Sequence, residues 1–523
     1  MQKTLFGKLW VQVLSPAPNQ FIKDINSKFK CILRGDNMKK TLLKELKKAT
    51  NYTHTKNGGL THKSTLNKCY DLFAFGGASR CRSEQDILDM FYDALKEDKL
   101  LAMKLLFYIR DVRGGLGERR TFRVILKSLA NSHPYLVEKN IDLIPFYGRY
   151  DDLLVLFDTK CEDKMISLIA KTLIDDCRTD YPTLLAKWLP SENASSNDSK
   201  RLARRLAKKL TLSNREYRKT LSNIRSKIKI VENLLSEKRY DEIEFDKLPS
   251  KAGMKYKKAF LRHEELCGRY EEFINSKDTK VNAKTLYPYD IIRDVWDCET
   301  YERKVLDKYW NDLPDYFDGK PCSILPVIDN SGSMTWGGNS VTPIDVAVSL
   351  GIYCAERNHG EFHNHYISFS SKPKLIEIKG KDIVDKAISA VKEVYYESTN
   401  IEAVFDLILN TLKEGNLSSE YLPKHIVIVS DMEFDAGTRY YGSRETLMES
   451  IRKEWKEEGY TMPHLVYWNV CSRKNNISDL GADNITYVSG CTPMIFKMIM
   501  SGKTGMDLML ETLNNDRYSK VTI

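Results

Sequence analysis

From Lys68 to about Tyr309 apolar residues recur at helical spacing, with short Gly, Pro or Asn breaks between the periodic stretches. The spacing predicts helices over 86–96, 100–110, 118–130, 151–157, 163–176, 201–210, 215–235 and 254–274. No strand-like alternation competes there, so an all-helical stack of antiparallel pairs, of the repeat-solenoid kind, is expected. No fixed sequence period accompanies it. Residues 1–60 are read as irregular apart from an amphipathic pattern over 39–49. Residues 313–322, with Pro near both ends and a Gly between, read as a linker. Beyond it the period alternates. Strands are expected at 323–328, 365–369, 375–378, 425–429, 465–470 and 485–488, and helices at 344–357, 381–393, 401–413, 446–458, 493–500 and from Gly505. Such alternation implies a doubly wound α/β sheet over 323–523, with its ligand site at the carboxyl ends of the strands.

Composition narrows the class. A chain of 523 residues, 42% hydrophobic and 29% charged, is ordinary for a multidomain globular protein and excludes a fibrous or disordered one. Eleven scattered cysteines form no Cys-x-x-Cys pair, which points to free thiols in a reducing compartment. No apolar run reaches the roughly 18 residues of a membrane span, and the N-terminal LWVQVL is too short for a signal peptide. A cytoplasmic protein without a membrane partner is expected.

Candidate chemistry gathers at two strand ends. The run 323–328 stops in Asp329, followed by Ser331, Gly332 and Ser333, and the run 425–429 stops in Ser430 and Asp431. Thr399 stands in a loop starting near Tyr396, just before the helix pattern at 401. One carboxylate and two hydroxyls within five residues, with Gly332 letting the loop curl, suit a hard cation bound by oxygen. Taken singly, either aspartate reads as a helix cap. A haloacid-dehalogenase-type phosphatase would need a second Asp where Ser331 stands, Ser333 lacks the Gly-x-Ser-x-Gly setting of a hydrolase elbow, and no phosphate-cradling Gly-x-x-x-x-Gly-Lys-Ser/Thr loop occurs. No nucleophile, paired acid and base, or cofactor loop is visible, so a non-enzymatic role is expected.

Net charge is +10, and its location matters more than its size. Between Lys200 and Lys229 twelve Lys or Arg face the single acid Glu216, leaving the rest of the chain near neutral. Leu202, Leu206 and Leu210 give that stretch one apolar stripe. The candidate phosphate contacts are Lys200, Arg201, Arg204, Arg205, Lys208, Lys209, Arg215, Arg218 and Lys219. Solvated helix faces usually mix signs; a nuclear-localisation signal or an acidic partner is the other reading. Arg110, Arg113, Arg119 and Arg120 surround Gly114, Gly115 and Gly117, a turn that would bring backbone N–H groups to a phosphate or simply join two helices. His359, His363 and His365 enter a strand from a loop rather than sharing a helix face, which speaks against a transition-metal site.

The set Asp329, Ser331, Ser333, Thr399 and Asp431 resembles the metal-ion-dependent adhesion site of von Willebrand factor A domains, which implies a Rossmann-like domain binding Mg or Mn, with an open position for a partner's carboxylate. In the other half, Gly58-Gly59-Leu60-Thr61-His62-Lys63-Ser64 with Asp71-Leu72-Phe73, then 110–119 and 144–153, look like successive signatures of an uncharacterised family of plants, bacteria and large DNA viruses. Met254-Lys255-Tyr256, 281–284 with Pro288, and Gly490-Cys491-Thr492-Pro493 fit it too. The Lys/Asn-rich composition suits a giant-virus member. That family is similar in architecture to the Ro autoantigen and other TROVE-module proteins, in which HEAT-like helical repeats bind RNA and an A domain carries a metal site. The resemblance implies a helical-repeat domain at 61–312 and an A domain at 323–523, acting as an RNA-binding scaffold. The alternative is a metal-dependent protein-interaction module, in the host cytoplasm or the virion, without nucleic acid.

Overall fold

The computed structural model describes residues 42–523 except 229, 336–340, 370, 393–397, 438–444 and 481–483, and leaves aside the side chains of 43–45 and 48. LWVQVL, Cys31, Lys229, the first part of the 39–49 pattern and the start of the loop at Tyr396 fall outside the described residues. Two compact units result: Met1–Tyr52, of which the helix Leu42–Ala49 is described, and Thr53–Ile523.

The larger unit opens on helices whose ends the sequence marks chemically. Asn67, Ser83, Asp98, Ser196 and Ser213 each accept a hydrogen bond from a first-turn amide, starting Lys68–Phe75, Glu84–Glu97, Lys99–Arg110, Asn197–Lys209 and Asn214–Lys227. Two predicted helices are broken. Residues 254–274 form Ser250–Arg262 and Glu264–Asn275, with His263 extended between them. Residues 215–235 form Asn214–Lys227 and Val231–Ser236. The stretch 150–156 is a 3-10 helix. The segment read as irregular before position 61 ends in a hairpin strand, Leu60–His62, whose His62 bridges to Ile477.

The C-terminal part carries a mixed six-stranded sheet: β1 (Ile324–Asp329), β2 (His365–Phe369), β3 (Lys374–Glu377), β4 (His425–Ser430), β5 (His464–Asn469) and β6 (Ile485–Ser489). Its order is β3-β2-β1-β4-β5-β6, parallel throughout except for β3 on the edge. All of β1 is buried, which explains its unbroken apolar run. From β1 the chain winds outward through β2 and β3, then returns and winds the other way from β4. A crevice therefore opens at the carboxyl ends of β1 and β4, where the winding reverses.

The helical part begins and ends on the sheet part. The Tyr70 hydroxyl accepts from Tyr487 N at 3.0 Å, and a Cβ on Gly77 would stand 2.5 Å from Ser489 O. At the other end Trp310 Nε1 donates to Glu356 at 2.6 Å, and Arg303 pairs with Asp382 at 2.7 Å. The C-terminal segment returns to the first helices, where Arg517 Nη2 donates to the fully buried Asp111 at 2.6 Å.

Candidate functional site

Asp329 is the last residue of β1, and its own carboxylate turns the chain: Oδ1 accepts from Ser331 N at 2.8 Å. Oδ2 accepts from the Ser430 hydroxyl at 2.5 Å, so the neighbouring strand end fixes the other oxygen. The Ser331 and Ser333 hydroxyls then lie 3.0 Å apart. Both line a cavity of about 880 Å³ together with Gly332, Ser398, Thr399, Asp435, Lys56, Asn57 and Arg473. Asp431, one residue past β4, accepts from Glu433 N at 3.2 Å through Oδ1, while its Oδ2 is buried without a hydrogen-bond partner among the described residues.

The electrostatics follow from this burial. Loss of solvent first, and the charge of Asp431 second, push Asp329 up to about 7 against the hydrogen bonds from Ser430 and Ser331. Burial likewise raises Asp431; the Ser333 hydroxyl and the Glu433 amide act against it, and the Glu433 carboxylate adds to it. Two buried carboxylates that oppose each other's ionisation, with three hydroxyls beside them, form an all-oxygen donor set of the type a hard divalent cation takes. The orphaned Oδ2 of Asp431 fits such a cation, whereas a buried unpaired carboxylate oxygen is otherwise costly. Among the described residues no group of three or more His, Cys, Asp or Glu side chains is disposed to hold a metal. Any cation here would depend on the hydroxyls as well as the two aspartates.

The fold adds residues that strand-end reading missed. Ser430, Glu433 and Asp435 flank Asp431 and were within reach of the same pattern. Lys56, Asn57 and Arg473 were not, because they arrive from distant parts of the chain. Asn57 Nδ2 donates to Glu433 O at 2.6 Å and to Thr399 Oγ1 at 3.3 Å, and Lys56 N donates to the Glu433 carboxylate at 2.6 Å. Gly59 permits this approach, since a Cβ there would meet Phe434 O at 2.7 Å. The only sequence signal for the loop is its pair of adjacent glycines.

The basic stretch divides. The Leu202, Leu206, Leu210 stripe packs inward, with Leu206 fully buried. Arg205 forms a two-pronged pair with Asp158 at 2.6 and 2.8 Å over the Phe157 ring, and Lys209 pairs with Glu162 at 2.7 Å. Arg201 pairs with Asp198, and Arg204 and Arg218 with Glu192. Arg225 and Lys227 donate to backbone carbonyls. Lys200, Lys208, Arg215 and Lys219 have no ion pair among the described residues, the last three exposed and Lys200 partly so. Arg215, Arg218 and Lys219 line a cleft of about 550 Å³.

Arg110 corrects the reading that grouped it with surface cations: it is 2% exposed and bound to the buried Asp152 at 2.7 Å. The glycine turn after it is also closed to a phosphate. Gly114 N donates to Asp111 Oδ1, Leu116 N to Tyr108 O, Gly117 N to Asp111 O and Glu118 N to Ile109 O, so these four amides are spent internally. Arg113, Arg119 and Arg120 remain at the surface. His363 and His365 each place Nδ1 against a backbone carbonyl, at 3.0 and 2.7 Å.

Comparison with known proteins matches this architecture. A crystal structure of the Deinococcus radiodurans Ro (RSR) protein superposes with a TM-score of 0.50 at 13% identity, covering 84% of this chain and 100% of that one, which makes the fold Ro-like. The uncharacterized protein L728 of Acanthamoeba polyphaga mimivirus is 28% identical over 510 residues, 88% of this chain and 87% of that protein, so the chain has a giant-virus relative. Residues 323–521 match a domain of unknown function, DUF7788. A second domain of unknown function, DUF2828, matches residues 55–164 and 150–317, together just over half of the sequence, and the chain therefore belongs to the DUF2828 family.

Proposed function

We propose that this protein is a non-enzymatic RNA-binding scaffold of Ro type. In this reading residues 61–312 are a HEAT-like, TROVE-like repeat domain and 313–322 a linker. Residues 323–523 are a von Willebrand A-like domain in which Asp329, Ser331, Ser333, Thr399 and Asp431 would hold Mg or Mn. The ion would neutralise the two aspartates and offer a coordination position to an outside carboxylate. The observation that carries the RNA reading is the cleft beside Asn214–Lys227, where the exposed Arg215 and Lys219 have no ion pair among the described residues and stand ready to neutralise phosphates. The Ro-like fold supports it. A cytoplasmic or virion location accords with the giant-virus relative and with the lack of any membrane-length apolar helix among the described residues.

Replacing Lys208, Arg215 and Lys219 by Glu tests the reading. RNA affinity should fall for unrelated sequences alike, because phosphate contacts carry no base information. The log-log salt dependence, about −0.7 per contacted phosphate on single strands, should flatten in the variant. Wild-type protein that fails to retain RNA at low salt, or a variant with unchanged affinity and slope, overturns it.

One observation favours the second reading, a metal-dependent protein-interaction module. Lys56 and Arg473 line the same cavity as the oxygen cluster, and Arg473 Nη1 is buried without a hydrogen-bond partner among the described residues. Two cations beside such a cluster suit an acidic side chain of a partner protein. Capture of that partner would be abolished by EDTA, whereas RNA retention at the basic cleft would not.

A further inference from the structure

Cys81 closes the 3-10 turn Gly76–Cys81 in the helical half, and Cys471 lies two residues beyond β5 in the sheet half. Their sulfurs are 3.7 Å apart, the Cys471 thiol donating to Cys81. All ten described cysteines are free, and this pair joins two distant stretches of chain. The backbones on either side are already fixed to each other. Ser472 N donates to Ala78 O at 2.8 Å, Arg82 Nη2 donates to the Ser472 hydroxyl, and Cys471 N is held by Asn469 Oδ1 at 3.0 Å. Joining the sulfurs therefore needs the side chains to close by under 2 Å, to the roughly 2.05 Å of an S–S bond, with little movement of the backbone.

Access and reactivity are divided between the two thiols. Cys81 is exposed and Cys471 is buried. Both line a cavity of about 470 Å³ that Arg80, Arg119, Arg120 and Arg293 share. The hydrogen bond from Cys471, and then the positive charge of Arg473, Arg80 and Arg120, hold the Cys81 thiol down to about 6 despite its partial burial. The same contact, together with burial, pushes Cys471 up. An exposed thiolate beside a buried thiol is the arrangement of an attacking and a resolving cysteine.

We propose that Cys81 and Cys471 are a peroxide-responsive dithiol whose reversible disulfide latches the helical half to the sheet half. The Cys81 thiolate attacks one oxygen of a hydroperoxide; an S–O bond forms, the O–O bond breaks, and the departing hydroxide or alkoxide takes a proton from solvent. Cys471 then attacks the sulfenic sulfur; the S–S bond forms, the S–O bond breaks, and the hydroxide leaves as water with the proton of Cys471. Two thiols lose two electrons and the peroxide gains them. A small-molecule dithiol returns the pair to the reduced state by exchange. A disulfide of this kind is compatible with a reducing compartment, where such bonds are transient and redox-sensing.

The test uses the full-length reduced protein, titrated with hydrogen peroxide, blocked with N-ethylmaleimide and mapped by peptide mass spectrometry without reduction. The expected result is a Cys81–Cys471 cross-linked peptide that forms at lower peroxide than any other pair and disappears with dithiothreitol. Before oxidation Cys81 should react with iodoacetamide at pH 7 roughly tenfold faster than any other cysteine of the folded chain. C471A, which leaves the exposed partner in place, should accumulate a dimedone adduct on Cys81, and C81S should leave Cys471 unlabelled. Recovery of Cys81 fully alkylated under peroxide that oxidises other cysteines, or a cross-link that forms only in denaturant, overturns the proposal.

Discussion

Asp329 shows how one residue carries both a structural and a chemical load. It ends β1, turns the loop through Ser331 N and anchors to Ser430, all while facing the charge of Asp431. Its folded value of about 7 lies above the 3.8 of the free side chain, so the fold favours the protonated form. In EDTA that stabilisation is fully present below pH 3.8 and is lost as pH rises to about 7. At about 1.4 kcal/mol for each pH unit between those two values, the loss is on the order of a few kcal/mol. Asp329→Asn keeps the shape and removes the charge, so in EDTA at pH 8 it should melt above wild type. Added Mg should raise the melting temperature of wild type and leave the variant unmoved. Equal responses of both proteins to Mg in differential scanning fluorimetry would remove Asp329 from the metal reading.

Elements here are shaped as much by what they meet as by their own periodicity. The pattern over 254–274 predicts one helix, in which Phe260 and Tyr270 would be separated by about 15 Å of helix axis. In the structure their rings are 5.1 Å apart, joined by Phe245 at 5.5 and 4.9 Å. The bend at His263 is what allows that aromatic cluster, and burial of three rings outweighs one continued helical turn. Glycines divide in the same manner. Gly77 lies on the end of β6, and Gly77→Ala would drive a methyl into backbone atoms of Ser489. A loss of about 1–3 kcal/mol is expected in urea unfolding. Gly268, exposed within Glu264–Asn275, has nothing within 4 Å of an added Cβ. Gly268→Ala should stabilise by up to about 1 kcal/mol through helix propensity. The same sign for both substitutions would contradict this account of the helix–sheet junction.

For the whole larger unit, the C-terminal segment is the tie. Asp111 is fully buried and accepts from Arg517, the Tyr518 hydroxyl at 3.1 Å and the amides of Arg113 and Gly114. Tyr147 donates to Arg517 O at 2.5 Å, and Asn140 grips the chain at Thr522 from both sides of its amide. Arg517→Ala would leave a buried carboxylate held only by neutral donors. Loss of one partner from a buried pair costs about 3–5 kcal/mol, and the part-exposure of Arg517 places this case near the lower end. Because the segment joins the first helices to the sheet, calorimetry should show one transition that moves down as a whole. Two transitions, with only one shifted, would mean that the halves fold separately.

The alternation of period 2 and period 3.6, read along the chain, determined which segments are strands and which are helices. All six sheet strands fall within a residue or two of their apolar runs: the five parallel strands are buried on both faces and so must be almost wholly apolar, while the edge strand β3 is exposed except at Ile376. It also placed Asp329 and Asp431 at strand ends, since a charge cannot continue such a run. Local sequence could not show that Arg110 turns inward to Asp152, nor that Arg205 and Lys209 are answered by Asp158 and Glu162, because a pairing partner leaves no mark on the residue it pairs with. Nor could it bring Lys56 and Asn57 to the oxygen cluster, or Cys81 to Cys471. Those meetings depend on helices and sheet closing against each other, and only the tertiary structure decides which distant surfaces share a core.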